Sequence, residues 1–267
     1  LTVLDRRCTT GLHLHDGALL RCLWHRGGGY ADLEATSVSG RQWRCRIENV
    51  GNPHDVLGDG ELTAVVATEQ NQVVWFRQDG TPARAWRPAG DADSWHLNSL
   101  VVLEGRLLVC AFGRFTRRKE WDQLGQPATG CLVDTGTGEV VLGGLRAPHT
   151  PRQDGASWLI CNSADGELLT VGPRGERRVV AAFRGWPRGL AVTPEVICVG
   201  VSPPRHELDQ RAARSRVTAL DRATGDIIAG IDVPAREVYD LVLVPAALAG
   251  ALRGDPLGVP APAHIRP

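Results

Sequence analysis

The chain has no methionine, one lysine, two tyrosines and four phenylalanines among its 267 residues. Its 30 basic residues balance its 30 acidic ones, so the formal net charge is zero. Because the arginines are also scattered, the sequence lacks the basic patch that binds nucleic acid. No apolar run approaches the roughly 18 residues of a membrane span, and no signal peptide is apparent. These absences predict a cytoplasmic protein with no nucleic-acid partner and no membrane partner.

The seven cysteines lack the spacing of a disulfide or zinc framework, since their number is odd and no Cys-x-x-Cys pair occurs. Several, such as Cys110 and Cys198, lie inside apolar runs, where a thiol usually behaves as a small hydrophobic side chain. We expect reduced, structural cysteines. A Gly-x-Ser-x-Gly motif is also absent, so serine-hydrolase chemistry has little support.

What the chain does contain is a series of short strands. Runs rich in Val, Leu, Ile and Trp alternate with Asp-Gly and Thr-Gly pairs, and helical periodicity is nearly absent. Such a pair between two apolar runs supplies the positive φ that a tight hairpin needs. Examples are Asp16-Gly17, Asp59-Gly60 and Thr224-Gly225. The pattern predicts an all-β domain.

Five short polar phrases recur at intervals of roughly 40 to 50 residues, which is the period of propeller blades. They occupy residues 52–55, 95–99, 148–152, 186–190 and 236–240. A sixth unit is predicted between residues 11 and 42. We therefore predict a six-bladed β-propeller over residues 1–245, with five blades as the alternative. An Ala/Gly/Pro-rich tail follows at residues 246–267, and the insertion at 115–130 is expected to cover one mouth of the central shaft.

The first strand of a propeller blade faces the axis, so the polar residues of the phrases would converge there. His54, His96 and His149 on three separate inner strands make a metal-ligand pattern, with Glu237 as a fourth ligand or a general base. We predict one divalent metal ion, either zinc, iron, nickel or copper. Asp55 or Asn98 would accept an imidazole N–H. The alternative for His54 is a turn histidine capped by Asp55, and for His96 a ring directed away from the axis.

Arginine binds carboxylate and phosphate groups through two parallel hydrogen bonds, so arginines in the shaft predict an anionic substrate. The predicted substrate-binding residues are Arg152, Arg188, Arg205 and Asn98, and the predicted catalytic residues are Glu237, Tyr239 and Arg188. The alternative for the arginines is a structural role on loop carbonyls. Tyr239 has packing as its alternative, Asp240 is interpreted as a turn cap, and His13 as part of a solvated strand face.

Six blocks of the chain resemble a bacterial family of unknown function, the DUF4915 group. They are residues 95–100, 144–152, 162–168, 187–191, 199–202 and 237–240. The resemblance runs in order from about residue 50 to about residue 245 and is weaker before residue 45. It implies a propeller similar in architecture to the six-bladed gluconolactonase-like and strictosidine-synthase-like proteins, which does not determine a reaction. The chain departs from the family at residues 203–216, which are shorter than in many members.

Together these observations predict a metal-dependent enzyme of the lyase, hydrolase or isomerase type. Its substrate would be a small polar, anionic metabolite held in the central shaft. The alternative is a non-catalytic propeller that binds a protein or glycan partner, with its inner polar residues satisfying one another around water. A propeller that has lost its activity is a third interpretation, and the oligomeric state stays open.

Overall fold

A computed structural model describes residue 3 and residues 7–204 and 214–254. Within these residues, twenty strands form five four-stranded antiparallel sheets. The four strands of each sheet are consecutive in the chain and pair in sequence order. The protein is therefore an all-β propeller, as predicted, and it has the five blades of the alternative rather than six.

The strands of the five blades and the helices have the following bounds. Blade one contains β1 (Thr9–His15), β2 (Ala18–Trp24), β3 (Tyr30–Ser37) and β4 (Gly40–Glu48). Blade two contains β5 (Pro53–Asp59), β6 (Leu62–Ala67), β7 (Gln72–Phe76) and β8 (Pro82–Trp86). Blade three contains β9 (Leu100–Leu103), β10 (Arg106–Ala111), the short helix α1 (Glu120–Gln123), β11 (Gly130–Asp134) and β12 (Val140–Leu145). Blade four contains β13 (Pro148–Asp154), β14 (Ser157–Asn162), a 3₁₀ turn (Ser163–Asp165), β15 (Glu167–Val171) and β16 (Arg177–Ala182). Blade five contains β17 (Trp186–Val192), β18 (Val196–Ser202), β19 (Ser215–Asp221) and β20 (Ile227–Val233), and α2 (Ala246–Gly254) follows it.

The predicted hairpin turns occur where the Asp-Gly pairs stand. Asp16 and Gly17 join β1 to β2 with φ values of 48° and 74°. Both values lie in the left-handed region that a two-residue turn needs between strands with the usual right-handed twist. The local sequence therefore positions the turn and the register of the hairpin.

Apolar side chains fill the space between successive blades. One cluster joins blades two and three, and equivalent clusters join blades one and two, three and four, and four and five. Between blades five and one, the apolar cluster is instead made by blade one, residues 242–244 and α2. Its members are Leu12, Leu14, Leu19, Val242, Val244, Leu248 and Leu252. A short chain segment and a helix thus occupy the place where a sixth blade would stand.

The prediction of six blades fails at the fifth phrase, residues 236–240. This phrase does reach the axis, because a side chain at Gly189 of β17 would collide with the backbone of Asp240 and Leu241. No strand assignment follows it among the described residues, and the chain continues into α2. The unit predicted at residues 11–42 is blade one. The predicted domain boundary at residue 245 stays a prediction, and residues 255–267 of the predicted tail lie outside the described part of the chain.

Two expectations drawn from composition also bear on the fold. All seven cysteines are free, and Cys22, Cys110, Cys131 and Cys161 are buried. Neither described helix is long and apolar enough to cross a bilayer. The cytoplasmic location stays a prediction.

We expect Gly11→Ala to lower the free energy of unfolding by roughly 1 to 3 kcal/mol. A Cβ atom at Gly11 would lie 2.5 Å from the backbone nitrogen of Val56, so β1 and β5 would have to separate. Chemical denaturation of the wild type and the variant measures the effect. Gly143→Ala on the outer strand β12 is the matched control, because its Cβ would come no closer than 3.5 Å to Val140. Equal losses in both variants would contradict the close approach of the two inner strands.

Candidate functional site

Irregular pairing near the start of the inner strands shapes the site. The register shifts between Thr9 and Gly11 in β1 and between Pro187 and Gly189 in β17, where one residue is extra. It also shifts between Pro53 and Val56 in β5 and between His149 and Arg152 in β13, where two residues oppose a single residue of the neighbouring strand. A bulge interrupts the regular ladder and can re-aim the side chains of its residues. The residues within the four bulges are Thr10, His54, Asp55, Thr150, Pro151 and Arg188.

Five of the predicted site residues form one group, which we call the histidine cluster: His54, His96, Arg188, Glu237 and Tyr239. The rings of His54 and His96 are 5.0 Å apart, and the rings of His54 and Tyr239 are 5.6 Å apart. Arg188 is only 2% exposed, and its guanidinium carbon lies 5.4 Å from the Tyr239 ring. Arg188 Nη1 donates a hydrogen bond to Glu237 Oε2 at 3.3 Å. The structure therefore brings together residues from β5, β17, the 95–99 phrase and the 236–240 phrase.

The hydrogen bonds of His54 determine which of its nitrogens carries the proton. Nδ1 lies 2.9 Å from the carbonyl oxygen of Asn52 and 3.0 Å from Thr68 Oγ1. The Thr68 hydroxyl donates its only proton to the carbonyl of Leu97 at 2.6 Å. Because the carbonyl of Asn52 can only accept, Nδ1 is the donor and Nε2 carries the lone pair.

His149 repeats this arrangement in blade four. Its Nδ1 lies 3.0 Å from the carbonyl of Ala147 and 2.8 Å from Ser163 Oγ, and that hydroxyl donates to the carbonyl of Pro187. Phe112 packs 5.3 Å from the His149 ring and 4.3 Å from the His96 ring. His149 is therefore held in the same tautomer as His54, and Phe112 contacts both His149 and the histidine cluster.

A carboxylate orients the third histidine. His96 Nδ1 is 2.7 Å from Asp93 Oδ1, and both residues are buried. This is the acceptor role that the sequence had predicted for Asp55 or Asn98. Asn98 instead donates through Nδ2 to the backbone carbonyl of His96 at 3.3 Å. The signal for Asp93 is its spacing of three residues from His96.

The insertion at residues 115–130 covers this end of the shaft through Trp121 of α1. The Trp121 ring lies 4.3 Å from the His96 ring, and its Nε1 donates to the carbonyl of Asp93 at 3.1 Å. Trp121 is buried. The expected cover is thus a single aromatic side chain packed against the histidine.

Non-glycine residues with a left-handed backbone surround the three histidines. They are Asn52, Asp93, His96, Ala147 and Thr150, with φ between 45° and 49°. Each such residue costs roughly 1 to 2 kcal/mol unless its surroundings compensate, and residues of this kind concentrate at functional sites. The positive φ of Asn52 and Ala147 accompanies the contact between each carbonyl and the imidazole two residues later.

A cavity of about 550 Å³ lies along the inner strands and residues 240–243. Its polar lining includes His13, Asp55, Arg152 and Asp240. Arg152 Nη2 donates to Asp240 Oδ1 at 3.2 Å. Most of the other lining residues are apolar. The volume is within the range of small-molecule sites.

Backbone amides hold the two aspartates of the cavity. Asp55 Oδ1 accepts from the amide of Val56 at 2.8 Å, and Oδ2 accepts from the amide of Leu100 at 2.7 Å. Asp240 Oδ1 accepts from the amide of Leu241 at 2.8 Å, and the carboxylate also accepts from the amide of Leu12. Each aspartate therefore bonds to the residue after it and to the inner strand of the following blade.

Burial changes the protonation of these groups. It raises the pKa of Asp240 to about 6, although Arg152 opposes the shift. Burial and the neighbouring Asp240 raise the pKa of Asp55 well above its usual range. Burial, together with His15 and Arg152, lowers the pKa of His13 to about 4. Perturbed groups in a cavity are recognised markers of functional sites.

Two members of the histidine cluster are held in their uncharged forms. Burial, followed by the nearby His96, lowers the pKa of His54 to about 3. Burial and the charge of Glu237 raise the pKa of Tyr239 to about 12. At neutral pH the His54 imidazole and the Tyr239 phenol are therefore both uncharged.

Sequence reasoning missed the aspartate pair and His13. Asp55 had been interpreted as a partner of an imidazole, Asp240 as a turn cap and His13 as a solvated residue. The available signal was that His54-Asp55 and Tyr239-Asp240 both place an aspartate immediately after a ring-bearing residue at the end of a phrase.

The predicted metal ligands and substrate-binding arginines are only partly brought together. Among the described residues, no group of three or more His, Cys, Asp or Glu side chains has the arrangement of a metal site. His54, His96 and Glu237 belong to the histidine cluster, and His149 borders it. Arg152 lines the cavity, Arg188 lies in the cluster, and Arg205 lies outside the described residues.

We expect His54 to show the Nδ1–H tautomer and a protonation midpoint near pH 3 in ¹⁵N-detected NMR. His54→Gln assigns the resonance. Because the folded-state pKa lies below the unfolded value of about 6.5, the unfolded chain takes up this proton first. The His54 contribution to stability is therefore lost as pH falls from about 6.5 toward 3, and His54→Gln should reduce that loss. An Nε2–H tautomer, or a midpoint near 6.5, would contradict the assigned hydrogen bonds.

Comparison with solved structures supports the fold. The chain is similar to one in the crystal structure of a nidogen/laminin complex, with a TM-score of 0.61, 12% identity, and coverage of 86% of this chain and 82% of that one. It is similar to the calcium-binding protein regucalcin of Agrobacterium tumefaciens, with a TM-score of 0.61, 14% identity, and coverage of 89% and 79%. It is also similar to streptogramin B lyase, with a TM-score of 0.52, 11% identity, and coverage of 88% and 72%. At these identities the likeness concerns the fold alone.

No curated protein matches the chain in sequence. A family model described as a domain of unknown function, DUF4915, matches residues 46–252. That range includes blades two to five, the 236–240 phrase and most of α2. The chain therefore belongs to the DUF4915 family, as its sequence blocks had indicated.

Proposed function

We propose that this protein is an enzyme that acts on a small polar molecule held in the central cavity. The observation that supports this most strongly is the pair of buried aspartates, Asp55 and Asp240, facing one cavity with Arg152. Two carboxylates in a desolvated space destabilise each other's charged forms, and this lowers the stability of the fold. A pair with this cost is expected where it serves a function.

The proposed chemistry is general acid–base catalysis. When two carboxylates share a low-dielectric site, one keeps its proton and the other is ionised, so the pair offers an acid and a base together. Asp240, with a pKa of about 6 and a hydrogen bond from Arg152, would be the base near neutral pH. Asp55, whose pKa is raised by burial and by the neighbouring Asp240 and which accepts no hydrogen bond from Arg152, would be the acid. Lyase, hydrolase and isomerase reactions all use such a pair.

The roles predicted for Glu237, Tyr239 and Arg188 stay predictions. Their support is that they adjoin His54 and His96 in the histidine cluster. The anionic substrate also stays a prediction. Arg152 and Arg188 each have a carboxylate partner, so neither brings an uncompensated positive charge to an anion.

The metal ion is a separate part of the proposal. In its favour, Nδ1 of His54, His96 and His149 is the hydrogen-bonded nitrogen in each ring, so Nε2 is the nitrogen that a metal would bind. A bound zinc or iron would supply Lewis-acid chemistry. The described side chains do not form a three-ligand group, and the acid–base scheme above uses no metal.

We expect Asp240→Asn to lower kcat by roughly 10² to 10⁴ on a substrate identified by mass spectrometry of metabolite extracts incubated with the protein. The loss follows because the amide cannot accept the proton. The wild-type rate should rise as pH increases through about 6, when Asp240 ionises. Asp232→Asn, an exposed aspartate paired with Arg216, is the matched control and should keep full activity. An Asp240→Asn variant with wild-type turnover would reject the proposed base. A protein that turns over nothing in these extracts would favour the binding-module alternative.

Elemental analysis of the purified, unchelated protein tests the metal. The prediction of His54, His96 and His149 as ligands implies about one transition metal per chain in the wild type and its loss in His149→Ala and His54→Ala. His25→Ala, on blade one, is the control and should keep the metal. Absence of metal from the wild type, even after reconstitution with zinc, iron, nickel and copper, would reject the ligand set.

A further inference from the structure

When both of its aspartates are ionised, the charges around the cavity do not balance. Among the described residues, four titratable side chains line it: His13 from β1, Asp55 from β5, Arg152 from β13 and Asp240 from the 236–240 phrase. The lining residues from β9 and β17 are all apolar. His13 is neutral at pH 7, because burial lowers its pKa to about 4. One guanidinium therefore faces two carboxyl groups.

The guanidinium donates a hydrogen bond to only one of the two carboxyl groups, although its charge also opposes the rise in the pKa of Asp55. Arg152 Nη2 donates to Asp240 at 3.2 Å, and Nη1 donates to the carbonyl of Pro151 at 3.1 Å. Asp55 is held through the backbone amides of Val56 and Leu100. Amide donors fix the position of the Asp55 carboxyl group, but they bring no positive charge. The cavity thus has room for one more cation beside Asp55.

The rest of the wall determines what kind of cation fits. Leu57, Val102, Leu190, Val192 and Leu243 are among the apolar lining residues. A strongly hydrated inorganic ion gains nothing from such a surface, whereas an organic ammonium ion buries its carbon chain there. An ammonium group also donates up to three hydrogen bonds, which matches carboxylate oxygens that only accept.

We propose that the cavity binds a small organic amine in its ammonium form, with the nitrogen beside Asp55 and Asp240 and the apolar body against the walls. This inference rests on the proposed function only in taking the cavity as the substrate site. It names the substrate class of that site as a primary amine, where the arginines of the sequence had predicted an anion.

Three probes of equal chain length and different charge test the proposal: hexylammonium, 1-hexanol and hexanoate. Their dissociation constants are measured by NMR titration of the full-length protein at pH 7. We expect hexylammonium to bind at least tenfold more tightly than the other two. Its binding should also release protons into a weakly buffered solution, because a bound cation favours the ionised forms of Asp55 and Asp240. The neutral and anionic probes should release none.

Variants separate the charge from the apolar wall. Asp55→Asn keeps the shape and one of the two acceptor oxygens, at the cost of the hydrogen bond to one of the two amides. It should weaken hexylammonium binding at least tenfold while leaving the affinity for 1-hexanol unchanged. Asp240→Asn should do the same, so the test survives if one variant fails to fold. Asp232→Asn, exposed on the outer strand β20 and paired with Arg216, should bind all three probes as the wild type does.

The outcomes also separate this inference from the proposed function. Hexanoate or 1-hexanol binding as tightly as hexylammonium would overturn the amine preference and leave the cavity as the substrate site. Failure of all three probes to bind would overturn both. Tight hexylammonium binding that persists in Asp55→Asn and Asp240→Asn would also overturn the inference, because the carboxylates would then not be its partners.

Discussion

Hydrogen bonds from backbone amides to two buried aspartates join the inner segments of this propeller. Asp55 links β5 to β9 through the amide of Leu100, and Asp240 reaches the amide of Leu12 in β1. Asp240 lies on the segment between blade five and blade one, so its bond connects the end of the ring to its beginning. A carboxylate accepting amide hydrogen bonds is a strong and directional contact. The same two carboxyl groups line the cavity, so Asp55 and Asp240 both connect the blades and supply acidic groups to the site.

A single bulge in β5 contributes to two different parts of the shaft, the histidine cluster and the cavity. In β5 the bulged residues His54 and Asp55 together oppose the single residue Val66 of β6. His54 contacts Tyr239 in the histidine cluster, and Asp55 interacts with Asp240 at the cavity. The adjacent residues His54 and Asp55 of β5 therefore meet the adjacent residues Tyr239 and Asp240 of the 236–240 phrase. The first contact belongs to the histidine cluster and the second to the cavity. A regular strand would send one member of each pair to the opposite face.

The histidine layer is preorganised at a cost in backbone energy. Left-handed residues precede or include each histidine, and Thr68, Ser163 and Asp93 each bond to an Nδ1 atom. The three rings are therefore fixed in tautomer as well as in position, and Trp121 and Phe112 close over His96. Such positioning of imidazole rings is what ligand binding requires. In the cavity, by contrast, the acidic groups of Asp55 and Asp240 line a space large enough for a small molecule.

Local patterns in the sequence were sufficient for the strands, the Asp-Gly turns and the set of inner segments, because each depends on a few neighbouring residues. They also located His54, His96, Arg188, Glu237 and Tyr239 at the axis, since period and phrase position identify the inner strands. The patterns could not predict the number of blades, because the 236–240 phrase resembles the others although no strand follows it among the described residues.

The sequence by itself determined an all-β propeller of the DUF4915 family with a polar shaft. Only the tertiary structure decided that five blades close through a segment and a helix, since that depends on Leu248 and Leu252 packing against blade one. It also decided which charges meet. Arg152 and Asp240 are 88 residues apart, and their pairing depends on the distance between β13 and the 236–240 phrase. Long-range packing of this kind leaves no local signal, which is why the arginines alone predicted an anion, whereas the assembled cavity is the basis for the proposed amine.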